Sequence, residues 1–411
     1  MFDADKLLIL VSSTLIICYV SGLFYVKTKV PDIVWAILFG IILGPILGLF
    51  EKDLFTSLSA LMSTVALIII LLDAGINLNI TLLKEATVKA SLLSSVTILA
   101  VMFSVGISLS FLVPSSFTLL EGMLVGSMIG GTSTIAVYGI LNGLEKIFTN
   151  IESSRTILTL ESVISDPICI IASITLIKII MTPETSLTTS VLDMISIFIL
   201  SSVLGFSIGI FWSEVLQMLR GRPLTYIMTI ALLSPIYIVT NRVIGEGGGP
   251  IAVLIFGLII SNYNLVMTKL NVKRQVEIDI LKIREFHEEI TFFIKSFFFV
   301  YVGLIATLSV DYLLIGLGIL ALILILRYAI VSTLGKILKF TQTEKVLTRI
   351  IYASGLPAFV MSQLPSIYDP NQQYFTRPEI YPNITLPLVL FNILFAALVG
   401  PVVAKRQLKT V

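Results

Sequence analysis

Apolar runs near 20 residues long recur from Lys6 to Ala404, parted by short connections that carry charges, glycine or proline. This recurrence restricts the fold more than any other feature. In hydrocarbon every backbone N–H and C=O must be satisfied within the protein, so only helices and closed barrels span a bilayer. The runs are too long for barrel strands and do not alternate polar with apolar residues. They read as membrane-spanning helices, and the chain as an all-α polytopic membrane protein. Composition agrees: 56% of the 411 residues are hydrophobic and 13% charged, where a soluble domain carries roughly a quarter charged residues. The first run, Lys6 to Val26, is longer than a signal-peptide core and has no A-x-A-like cleavage site, so it reads as a retained span.

About thirteen spans are expected, near 6–26, 33–50, 54–76, 86–112, 118–141, 155–181, 187–218, 224–240, 244–262, 290–308, 311–333, 346–365 and 384–404. Turn residues mark several joins, such as Val-Pro at 30–31, Val-Pro-Ser-Ser at 113–116 and Gly-Arg-Pro at 221–223. Lysine and arginine set the orientation. Lys27/Lys29, Lys84/Lys89, Lys146/Arg155, Arg220/Arg222, the basic residues of 269–284, Lys336/Lys339/Lys345/Arg349 and Lys405/Arg406/Lys409 fall on one side; the other holds little beyond Lys6, Lys52, Arg242 and Arg377. The N-terminus is therefore expected outside and the C-terminus inside. The segment Thr268–Glu289 reads as a charged surface helix between spans 9 and 10, with the single histidine, His287, as a solvated residue on it.

An odd span number inverts the second half against the first. Within a single membrane unit, 1–411, residues 1–181 read as one six-helix repeat, 187–218 as a connecting span and 224–404 as the second, inverted repeat. The fifth span of each repeat carries helix breakers near mid-membrane: Gly130 and Gly131 in span 5, Gly355 and Pro357 in span 12. Glycine costs about 1 kcal/mol and proline about 3 kcal/mol in a helix interior. Breaks at equivalent places predict discontinuous helices that cross.

Few ionisable residues lie within the spans. Glu161 and Asp166 are in span 6, Asp73 in span 3 and Arg327 in span 11. An isolated charge at the bilayer centre costs at least about 2.5 kcal/mol, so each needs a partner, a proton or water. Glu161 and Asp166 are five residues apart, about 140° around a helix, and cannot serve one small site together. Arg327 keeps its proton and needs a fixed carboxylate; Glu161 is the candidate, as a structural clamp between the repeats. A carboxylate removed from water holds its proton more tightly, so Asp166 could carry either a proton or a small cation near neutral pH. Ser162, one helical turn before it, the adjacent Ser165, and Thr132 with the carbonyls of the span 5 break offer oxygen ligands, although helix serines also bond back to their own carbonyls. Cys18 and Cys169 are too few and too separated for a disulfide framework or a zinc site.

Several segments, taken in order, resemble the monovalent cation–proton antiporter superfamily, in particular its NhaP-type sodium/proton antiporters. VPDIVWAILFGIILGPILGLF (30–50) is similar to the family's second span, and LLDAGINLN (71–79) resembles F-E-G-G-L-N with Asp73 at the glutamate. GGTSTIAV (130–137) resembles G-A-T-D-P-V-A-V, and ESVISDP (161–167) resembles E-S-L-x-N-D; FFFVYVGL (297–304) and ASGLPAFVMSQLP (353–365) resemble later spans. The resemblance implies a six-helix core with crossed broken helices, a dimerisation domain and a homodimer in the cell membrane. It implies that Asp166 binds ion and proton, that Asp73, Thr132 and Ser162 help hold sodium, and that Glu161 pairs with an arginine. Ser165 and Ser133, counted with the ion- and proton-binding positions, stand where the family has asparagine and aspartate, and Thr134 replaces the proline that follows; these departures leave sodium or lithium against potassium open. With one aspartate where electrogenic relatives carry two, electroneutral one-for-one exchange is expected. No cofactor, nucleic acid or enzymatic activity is implied; the partners are lipid, a monovalent cation and a proton. The alternative is a potassium/proton antiporter or potassium efflux system, whose ligand-gated forms append a nucleotide-binding domain where this chain stops close after its last span. A membrane sensor would need no midplane aspartate, and a nucleotide-driven pump would need a G-x-x-x-x-G-K-[ST] loop.

Overall fold

A computed structural model of the chain describes residues 4–28, 30–50, 55, 58–77, 86–133, 137, 140–141, 144, 151–182, 187–222, 224–272, 276 and 280–408. The described residues are helices and their connections, with no strand among them. Thr134, Lys29, Lys52, Lys84, Lys146, Lys409 and part of the 268–289 segment lie outside them.

The helices run α1 (Ala4–Thr28), α2 (Asp32–Ile41), α3 (Ser59–Asn77), α4 (Ala86–Leu112), α5 (Leu119–Ile129), α6 (Glu152–Met181), α7 (Leu187–Met218), α8 (Thr225–Val243), α9 (Gly248–Lys269), α10 (Ile280–Ile305), α11 (Val310–Ile337), α12 (Gln342–Ile350), α13 (Leu356–Ser362), α14 (Leu364–Tyr368), α15 (Ile380–Leu394) and α16 (Gly400–Leu408). Wider π turns extend α2 over Ile42–Ile46, around Pro45, and join α15 to α16 over Phe395–Val399. Among the described residues, seven helices are long and apolar enough to cross a membrane, and four further apolar helices are shorter. The protein is a multi-pass, all-helical membrane protein. Two sequence expectations need amendment. The surface helix drawn to Glu289 is, from Ile280, continuous with the next span as α10. The second broken span is three short helices, because Pro357 and Pro365 each sit in a first turn, where proline's missing N–H is tolerated.

The chain divides into two compact units. The first holds Met1–Ser63, Glu85–Leu176 and Lys295–Val411. Here glycines bring helix backbones together, as small residues do in membranes, where lipid is as apolar as leucine. A Cβ on Gly40 of α2 would stand 2.9 Å from the Gly303 Cα of α10, and one on Gly122 of α5 would stand 3.0 Å from the Gly106 Cα of α4. The second unit holds Thr64–Lys84 and Ile177–Ile294. In it α9 packs against α3 and α7: a Cβ on Gly257 would lie 2.9 Å from Leu72 O, and one on Gly205 2.9 Å from the Ala252 Cα.

In the first unit the connection after α14 is organised by Asp369. This buried carboxylate accepts the N–H groups of Gln373 (3.0 Å), Tyr374 (2.7 Å) and Phe375 (2.8 Å). Burial pushes the carboxyl up, but the three backbone donors outweigh it and hold its pKa below the usual carboxylate range. Its stabilisation is therefore present at neutral pH and lost as pH falls through the depressed value. Asp369→Ala is expected to cost about 1–3 kcal/mol at pH 7, read as a lower apparent Tm in detergent. The gap from the parent should shrink well below the ordinary aspartate value of about 3.9.

Candidate ion-binding site

Both broken spans begin in the same way. Thr118 caps α5 by accepting Glu121 N (3.3 Å) while Glu121 Oε2 accepts Thr118 N (2.8 Å). Thr341 caps α12 by accepting Glu344 N (3.2 Å) while Glu344 Oε2 accepts Thr341 N (2.8 Å). Each T-x-x-E capping box satisfies two end donors. Each helix then stops inside the protein, α5 at Ile129 and α12 at Ile350. Residues 130–133 and 351–355 are non-helical and buried.

The two breaks bond to one another. Ser133 N donates to Ala353 O at 2.6 Å. The Tyr352 hydroxyl donates to Ile129 O at 3.0 Å, and Ser354 Oγ lies 3.1 Å from Ile129 O and 3.2 Å from Gly131 O. The carbonyls freed where α5 ends are thus capped by the opposite break, as a helix end in hydrocarbon requires. Gly355 is needed for close approach: a Cβ there would collide with the Ser133 side chain. Gly130 forms the C-cap of α5, and a Cβ on Gly131 would press on Cys169 Sγ (3.1 Å) and Ser165 Oγ (3.3 Å).

The polar face of α6 meets this crossing. Thr132 Oγ1 is 3.0 Å from Ser162 Oγ, and Thr132 N donates to Ser165 Oγ at 3.1 Å. Both serines also bond back into α6, Ser162 Oγ to Leu158 O and Ser165 Oγ to Ser162 O, each at 3.0 Å. Thr132, Ser133, Ser162 and Ser165 are all buried. Asp166 follows on the same helix, half-buried, one turn beyond Ser162. The structure thus brings Thr132, Ser162 and Ser165 together beside Asp166. Hydroxyls, break carbonyls and one carboxylate are hard oxygen donors of the kind that suit a small cation.

Asp73 belongs to the second unit, on α3. Its Oδ1 accepts Asn77 Nδ2 at 3.1 Å and lies 3.6 Å from His287 Nε2. His287 is buried, with Nε2 also 3.2 Å from Thr291 Oγ1, so the solvated reading of this histidine is wrong. It sits on the inward face of α10 because the helix continues past the presumed surface segment.

Glu161 and Arg327 meet in the first unit, both fully buried. Arg327 Nη1 and Nη2 face the two carboxylate oxygens, with Nη2–Oε2 at 2.7 Å. Nε donates to Thr348 O at 2.7 Å, Nη1 reaches Thr97 Oγ1 at 3.3 Å, and the guanidinium lies 5.4 Å from the Tyr352 ring centre. The cation therefore stands at the C-terminal, negative end of α12. Sequence reading missed Thr348, Tyr352 and Ser354, whose roles depend on the crossing. It also passed over the paired signals T-L-L-E at 118–121 and T-Q-T-E at 341–344. Removing one partner of a buried ion pair costs about 3–5 kcal/mol, whereas replacing both by apolar groups is often close to neutral. Glu161→Leu and Arg327→Leu singly are each expected to lower apparent Tm and folded yield strongly, and the double variant to recover part of the loss. Additive losses in the double variant would show that the two side chains act separately.

Comparison with known proteins then bears on this geometry. Residues 11–409 match the family described as sodium/hydrogen exchanger, transmembrane. The chain belongs to this family. A curated relative, the K(+)/H(+) antiporter NhaP2 of Shewanella sp. (strain ANA-3), is 25% identical over 218 residues, covering 50% of this chain and 35% of its own; the match spans about a third of that relative. The sodium proton antiporter MjNhaP1 of Methanocaldococcus jannaschii, solved at pH 8, has the same fold, with TM-score 0.80 at 19% identity over 99% of this chain and 100% of its own. A second structure of the same antiporter, an electron-microscopy map, gives 0.73 at 18% identity over 100% and 98%.

Proposed function

We propose that the protein is a secondary active antiporter of the cell membrane that exchanges sodium, or lithium, for a proton by alternating access. The observation that carries this reading is the oxygen-lined crossing, where Thr132 and Ser162 meet at 3.0 Å one turn from Asp166. Asp166 would bind proton and cation in turn. Thr132, Ser162 and the break carbonyls would replace the cation's water, with Ser165 and Ser133 holding the break in place. Asp73, which accepts from Asn77 and faces His287, would be an ion ligand on the family resemblance alone. One carboxylate trading one proton for one monovalent cation moves no net charge, so exchange would be electroneutral.

The paired capping boxes support equivalent broken helices in inverted repeats at 1–181 and 224–404, while the apolar runs and the lysine and arginine distribution support about thirteen spans, an outside N-terminus and an inside C-terminus. A homodimer is part of the same reading. Potassium–proton exchange is a second reading, favoured by the name of the curated relative; Ser133, in place of an aspartate at the crossing, leaves the choice open.

Proteoliposomes with an imposed pH gradient test this. Sodium is expected to dissipate the gradient in the parent and to have no effect in Asp166→Asn; exchange retained by that variant would refute the role of Asp166. Dissipation by potassium alone would favour the second reading. With the membrane potential clamped at different values, the rate is expected to stay constant; net charge movement would contradict electroneutral exchange.

A further inference from the structure

The unwound segment 351–355 poses an accounting problem. It lies buried in the protein, where each backbone N–H and C=O needs a partner. Ile351 N reaches Leu347 O at 2.9 Å, Tyr352 N reaches Ile350 O at 3.2 Å, and Ala353 O accepts Ser133 N. Tyr352 O and Ser354 N are among the groups that these bonds leave over. Both meet one side chain from α15, the fully buried Asn392. An amide's orientation is assigned from its partners. Turned so that its nitrogen faces Tyr352, the Asn392 amide donates to Tyr352 O and accepts Ser354 N at 3.2 Å, with Ser354 Oγ at 3.3 Å. The amide thus supplies the donor and the acceptor that a neighbouring peptide would otherwise offer.

We propose that Asn392 is a positioning residue of the exchange site. It fixes Tyr352–Ser354 so that Ala353 O meets Ser133 N, while the Tyr352 and Ser354 hydroxyls cap Ile129 O and Gly131 O. Those bonds hold the α5 break, and with it the place of Thr132 against Ser162 and Ser165. The crossing has Ser133 where a carboxylate would otherwise balance the helix ends, so neutral hydrogen bonds bear more of the task of keeping it in register. Asn392 touches neither cation nor proton; it acts through the opposite break. The assignment to cation exchange rests on the proposed function, whereas the backbone role does not.

Two variants and two readouts test it. Asn392→Leu keeps the branched outline, adds the bulk of its methyl groups and removes both hydrogen bonds. Asn392→Asp keeps both only while its carboxyl is protonated, since an ionised carboxylate accepts but does not donate. In proteoliposomes the apparent KM for sodium or potassium is expected to rise about tenfold in the leucine variant, more than kcat falls, as leaving buried groups unpaired implies. The aspartate variant, expressed as a ratio to the parent at each pH, is expected to match the parent at the acid end of the range. A leucine variant with unchanged KM, or an aspartate variant as impaired as leucine at the acid end, would overturn the proposal. Amide hydrogen exchange of the 350–356 peptide in detergent is independent of transport. It is expected to quicken about tenfold in Asn392→Leu; an unchanged rate would overturn the proposal even if the parent exchanged no cation, a result that would itself count against the proposed function.

Discussion

A helix that stops inside hydrocarbon leaves carbonyls that neither water nor lipid can satisfy. Here α5 and α12 both stop among buried residues, and several polar side chains answer the consequences. Tyr352 and Ser354 cap the end of α5, Arg327 takes a carbonyl at the end of α12, and Ser133 N joins the two breaks. Arg327 in turn requires Glu161, because a lone guanidinium cannot be kept in a dry interior. The ion pair is therefore a consequence of the broken helices. It places a compensated charge where a helix dipole ends, and leaves Asp166, one turn further along α6, outside that pair.

Under the proposed function, this arrangement would separate structure from exchange within a single helix. Glu161 faces Arg327 and the α12 end. Ser162 and Ser165 face Thr132, and their oxygens are shared between α6 carbonyls and the break. A cation arriving there would meet hydroxyls already held in position, so little ordering would be needed on binding. Among the described residues of the two breaks none carries a charge, Ser133 included.

Much of this was legible in the sequence, for identifiable reasons. Apolar runs of helical length mark the spans because the bilayer admits no other reading. Glu161 and Arg327 stand out because charges are scarce in those runs, and their contact is present in the structure. Gly130–Gly131 and Gly355–Pro357 mark the breaks, although the second break extends back to Ile351 and Pro357 starts the next helix. The rest was hidden by long range. Nothing local indicates that Asn392 serves residues 352 and 354, some 40 positions earlier, or that His287 turns inward to Asp73. Asparagine and tyrosine in apolar spans read as isolated polar residues until the crossing supplies their partners.

A single carboxylate shared by proton and cation predicts that binding one expels the other. Proton release on cation addition is the most direct measurement. Sodium or potassium would be added to purified protein in weakly buffered solution containing a pH indicator. About one proton per chain at most should be released in the parent, and none in Asp166→Asn. Cation binding by the parent without proton release would contradict the account.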